Sequence, residues 1–64
     1  MKLMKLDKTG HSTFHGTEAE AQFKGLLARG YALFQNDVQI RTAPLETPGQ
    51  PEPEVLALAP LVGG

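Results

Sequence analysis

The chain reads as an α+β domain in which one helix packs across a mixed sheet, in the order strand, strand, helix, strand, strand, strand. Three observations predict it. Apolar residues recur with a period of two at Met4 and Leu6 and again at Val38 and Ile40, and a helical period appears only between residues 17 and 29. A proline-rich stretch then separates the fourth strand from a last segment that is apolar on both faces. With 64 residues, 41% of them apolar, there is material for one small domain, spanning residues 1–60 and followed by a tail at 61–64.

Lys2 to Leu6 places Met4 and Leu6 on one face, and Asp7-Lys8-Thr9-Gly10 supplies a turn, with Gly10 suited to a left-handed or bulge position. The returning arm, His11 to Gly16, has Phe14 as its one core anchor. At Thr17 the period changes. Thr17-Glu18-Ala19-Glu20 matches a capping box, in which the threonine hydroxyl bonds the third amide and Glu20 reaches back. Ala19, Phe23, Leu26 and Leu27 then recur at the four, seven and eight spacing of one buried stripe. Gly30 is the natural left-handed stop, so the helix is placed at about residues 17–29.

Tyr31 to Gln35 and Val38 to Arg41 read as two strands joined by the turn pair Asn36-Asp37. Residues 42–54 hold four prolines, at 44, 48, 51 and 53, and no regular ladder or helix survives that density of missing amide donors. A connection of that length suits a crossing of the sheet, after which Val55-Leu56-Ala57-Leu58-Ala59 reads as a strand in its middle. Pro60 ends its hydrogen bonding and releases residues 61–64 as a flexible tail. The expected core is Phe23, Leu26 and Leu27 over a sheet lined by Leu6, Phe14 and Leu58 or its neighbours. Either Leu56 and Leu58 or Ala57 and Ala59 must face the helix, and the volume a small core needs favours the leucines, leaving an alanine face open to a partner.

Composition excludes several functions. Six basic and seven acidic side chains offer no general attraction for a polyanion, so nucleic-acid binding through phosphates is disfavoured. The longest apolar run, Val55 to Val62, is broken by Pro60 and is far short of the roughly 20 residues that span a bilayer. With no cysteine there is no disulfide framework, and a reducing compartment, the cytoplasm, is expected. His11 and His15 would stand about 13 Å apart on a strand, too far for one tetrahedral metal ion. Ser12 and His11 fall on opposite strand faces, so no nucleophilic site is expected and the chain is not read as an enzyme. Lys2, Lys5 and Lys8 read as a solvated strand edge.

At this length the element order suggests a β-grasp, with the last strand beside and parallel to the first in the centre of the sheet. The opening Met1 to Ser12, with Thr9-Gly10 at its turn, resembles the first hairpin of ubiquitin. The apolar last strand and Leu61-Val62-Gly63-Gly64 resemble the end of ubiquitin and of the prokaryotic sulfur carriers, which are about this size. The chain departs from ubiquitin in the proline-rich segment, in an apolar register of the first strand displaced by one, and in Val62, where ubiquitin has an arginine close before its glycine pair. Apolar residues are common there in the sulfur carriers. Asp7 to His11, Gly30-Tyr31 and the Leu-Val-Gly-Gly end are also similar to short bacterial and phage proteins, a likeness that implies no activity.

The resemblance to the carriers implies that Gly64 is the reactive group. A ubiquitin-activating-type enzyme, itself binding the ATP, would adenylate the Gly64 carboxylate. A sulfur-accepting enzyme or target-protein lysines would then receive the product as a thiocarboxylate or an isopeptide. Gly63 would accompany Gly64 through a channel too narrow for a side chain. Leu61 and Val62, with Ala57 and Ala59 on the sheet, would contact the partner, and the chain itself would carry no cofactor. An interaction module, with Gly-Gly incidental, is the alternative.

Overall fold

Residues with positive φ set the main reversals of the chain in the computed structural model, which describes residues 1–60. Asn36 and Asp37 have φ of 50° and 65°, the two left-handed residues that a type I′ connection requires. They join β3 (Ala32–Gln35) to β4 (Val38–Ile40), with Gln35 opposite Val38. The first hairpin joins β1 (Lys2–Asp7) to β2 (Gly10–His15), with Asp7 opposite Gly10 across Lys8 and Thr9. The Asp7 carboxylate closes that turn, accepting from the Thr9 amide at 2.9 Å and from the Thr9 hydroxyl at 2.5 Å.

Those two bonds, with Lys5 Nζ at 3.7 Å, hold the Asp7 carboxyl below the usual aspartate range. Its folded pKa is depressed, so its contribution to stability is present above the ordinary aspartate pKa of about 4 and is lost as pH falls through that value and below. Asp7→Asn should therefore flatten the acid limb of the stability profile. Urea titrations at a series of pH values check this, and an unchanged profile would show that the turn is not held by the charge.

The helix α1 (Gly16–Ala28) starts one residue before the expected cap. Gly16, at φ +60°, swings the chain from β2 directly into the helix. The N-cap position thereby falls on extended His15, which makes no side-chain cap bond, and Thr17 lies inside the first turn rather than at its start. The other end follows expectation. The Tyr31 amide donates to the Leu26 carbonyl at 3.0 Å and the Gly30 amide to that of Leu27 at 3.1 Å, the two bonds of a Schellman stop. Gly30 adopts φ +87°, and Tyr31 packs back on the core that contains Leu26.

Two glycine substitutions should have opposite signs. At Gly25, inside the helix, a Cβ meets nothing within 4 Å, so Gly25→Ala should stabilise by up to about 1 kcal/mol. At Gly30 space is equally free but the left-handed backbone is strained for alanine, so Gly30→Ala should cost about 1–2 kcal/mol. Thermal melts of the pair check it, and equal shifts in one direction would contradict this account of the helix end.

The five strands form one mixed sheet in the order β2-β1-β5-β3-β4, with β5 (Glu54–Leu58) central. β5 runs parallel to β1 and antiparallel to β3, as expected for a strand reached by a long crossover. The connection is tied back to the body: the Lys2 amide donates to the Pro53 carbonyl at 2.8 Å, and the Met1 amino group pairs with Glu46 and stands 3.5 Å from Glu52. Because β1 is flanked on both sides, it is not the lysine-bearing edge that the sequence suggested. Lys2 points to one face and Lys5, on the other, extends toward Asp7.

Met1, Leu3, Ala19, Phe23, Leu26, Leu33, Val55 and Ala57 form the buried core, with Phe14, Leu27, Tyr31 and Ile40 packed at its margin. The helix stripe of Ala19, Phe23 and Leu26 is as expected, but two sheet assignments are reversed. Leu6 lies on the face away from the helix, because pairing Asp7 with Gly10 sets Leu3, not Leu6, beside Phe14. On β5, Val55 and Ala57 face the helix while Leu56 and Leu58 face away.

Candidate functional site: the open face of the sheet

The helix covers one side of the sheet, and the other side carries cross-strand rows set by the ladder register. In one row Met4 stands beside Leu56, which stands beside Phe34. In the next, Leu6, Leu58 and Ala32 are aligned in the same way. Directly opposed apolar side chains on neighbouring strands touch one another, so these six form a continuous patch. All are partly exposed, Leu58 most clearly at 36%, and no element of the described residues packs over them. Polar residues bound the patch: Thr13 and His11 on the β2 side, and Gln39 beside Phe34 on β4.

A third row closes one end. Lys2 lies opposite His15 on one side and Glu54 on the other, with Lys2 Nζ 3.5 Å from Glu54 Oε1. Between this row and the β3–β4 turn the surface dips into a shallow open depression. Met4, Phe34 and Leu56 line its floor, and Lys2, Glu54, Asn36 and Asp37 stand around it.

Beside this end, His15 Nδ1 lies 3.1 Å from Glu52 Oε1. Burial opposes the charge on Glu52, but the histidine contact and the nearby Met1 amino group outweigh it and lower its pKa. The Met1 amino group is shifted upward, chiefly by its bond to Glu46, against the cost of desolvation. These contacts join acids of the proline-rich segment to the start of β1 and the end of β2, and they hold the crossover in place. His11 and His15 both lie on β2, and among the described residues no group of three or more histidines and acids is arranged to hold a metal ion.

The expected partner residues fall into three places. Ala57 is fully buried at 0% exposure, so it belongs to the core and not to a contact surface. It sits between Lys5 and Leu33 on the helix side of the central strand, in a core whose bulk comes from Phe23, Leu26 and Leu33. Ala59 follows the last strand and is half-buried, its amide donating to the Leu6 carbonyl at 3.1 Å. Leu61, Val62, Gly63 and Gly64 lie outside the described residues. The apolar residues left partly exposed on the sheet are instead Met4, Leu6, Phe34, Leu56 and Leu58. Among the described residues no helix is long and apolar enough to cross a membrane. No protein-family model matches the chain, and neither a curated protein nor a solved structure is significantly similar to it.

Proposed function

We propose that the chain is a β-grasp protein of the ubiquitin-like kind that serves as a carrier or modifier, with Gly64 the group acted upon. The observation that supports this most is the central β5, parallel to β1 and flanked by β3, which leads the chain out of the middle of the sheet toward residues 61–64. The open apolar face would then be the handle by which an adenylating partner grips the domain. In the chemistry proposed, the Gly64 carboxylate attacks the α-phosphorus of ATP and pyrophosphate leaves. The sulfur of sulfide, or a lysine amine, then attacks the acyl carbon and AMP leaves, giving a thiocarboxylate or an isopeptide. The chain is substrate rather than catalyst, working in the cytoplasm where ATP is at hand.

This reading requires a free carboxylate on Gly64 in the working protein. Incubation with an activating-type enzyme from the same cell, ATP and sulfide, followed by intact mass measurement, tests it. Exchange of one oxygen for one sulfur is expected; an unchanged mass with an enzyme active on its own carrier would count against it. A second reading, a module that binds through its sheet and whose glycine pair is incidental, is favoured by the apolar face itself. It requires no activated end.

A further inference from the structure

The depression at the Lys2 end of the open face carries chemistry that neither reading of the glycine pair uses. Its floor of Met4, Phe34 and Leu56 is apolar and half-buried, and includes an adaptable thioether and an aromatic ring. Two carboxylates and one ammonium stand at its edge. Lys2 is already matched by Glu54 at 3.5 Å, whereas Asp37, exposed on the left-handed turn, makes no ion pair among the described residues. The Asn36 side chain adds an acceptor oxygen beside it.

The geometry points to a partner segment that presents an arginine next to a large apolar side chain. The apolar side chain fills the floor, and the guanidinium reaches the excess negative charge of Asp37 and Glu54 while its plane lies on Phe34. Arginine suits this place better than lysine, because its flat, weakly hydrated cation both forks onto carboxylates and stacks on aromatic rings. An acidic partner would meet Asp37 and Glu54 with only Lys2 to offset them. The inference rests on the open face being a contact surface, and it holds whether or not Gly64 is activated.

The test uses the full chain and three blocked dipeptides: acetyl-Phe-Arg-amide, its citrulline analogue, which is neutral and nearly the same shape, and acetyl-Phe-Glu-amide. Amide and methyl chemical shifts are followed up to tens of millimolar peptide. The arginine peptide should saturate with shifts at Lys2, Met4, Phe34, Glu54 and Leu56, binding about 3-fold more tightly than citrulline and more again than glutamate, as exposed charge pairs allow. That preference should shrink in 1 M salt and in the double variant Asp37→Asn with Glu54→Gln, which keeps the shape and the left-handed turn residue. Equal binding of all three peptides, preference for glutamate, shifts centred elsewhere or no saturable binding would each overturn it. None of these results depends on residues 61–64, so failure here is separable from failure of the carrier reading.

Discussion

Phe23→Ala should cost about 3–5 kcal/mol of stability, and Leu26→Ala about 2–5 kcal/mol. Both side chains are almost wholly enclosed, at 2% and 1% exposure, and together they supply much of the helix's contribution to the core. At about 0.05–0.15 kcal/mol per residue, a chain of 64 residues has roughly 3–10 kcal/mol in all. Either alanine therefore removes a large share of the total. Urea denaturation at neutral pH checks it: the variants should unfold at much lower denaturant or be unfolded without it. Midpoints equal to the parent's would mean that the helix does not pack on the sheet through this stripe.

An aspartate scan of the last strand should divide by parity. Ala57→Asp places a carboxylate at a fully buried position on the helix side, between Leu33 and Lys5, whose ammonium already lies 3.7 Å from Asp7; the desolvation should cost several kcal/mol and unfold a domain this small. Leu58→Asp, one residue further, puts the charge on the open face where water reaches it and should cost about 1–3 kcal/mol, less than Ala57→Asp. Circular dichroism and thermal melting of the two variants read the difference directly. A folded Ala57→Asp protein beside an unfolded Leu58→Asp one would reverse the assignment of faces. The surviving Leu58→Asp protein also tests use of the face, since a charge in the centre of an apolar contact should abolish binding of any partner that grips it.

The course of the chain was legible because each element carries its own local signal. Asn36-Asp37 has no sensible place except a tight hairpin, Gly30 follows a helical stripe where a left-handed stop is needed, and four prolines forbid regular structure between β4 and β5. Faces were harder to read. β1 has apolar residues at odd and even positions alike, and the expected choice of Leu6 for the core fails because Leu3 takes that place. The hairpin held the answer: a two-residue turn at Lys8-Thr9 pairs Leu3 with Phe14 and Leu6 with His11, so Leu6 and Phe14 are on opposite sides. A choice by side-chain volume failed on β5 for a different reason. The helix brings its own large residues, and the central strand contributes Val55 and Ala57 to the core where leucines were expected. The open apolar patch then falls to Met4, Leu6, Leu56 and Leu58, residues that read as core when each strand is considered alone. Phe34 joins them only through long-range pairing with Leu56, which no local pattern reveals.

The central functional claim is that the domain presents and the carboxyl end reacts. Two truncated chains, one lacking Gly64 and one ending at Val62, measure it against the parent in an assay of ATP-dependent activation by the partner enzyme, with unfolding curves taken in parallel. Both should lose activation entirely while keeping the parent's stability, because the core found among the described residues is built within residues 1–57. Full activity of the chain ending at Val62 would contradict it.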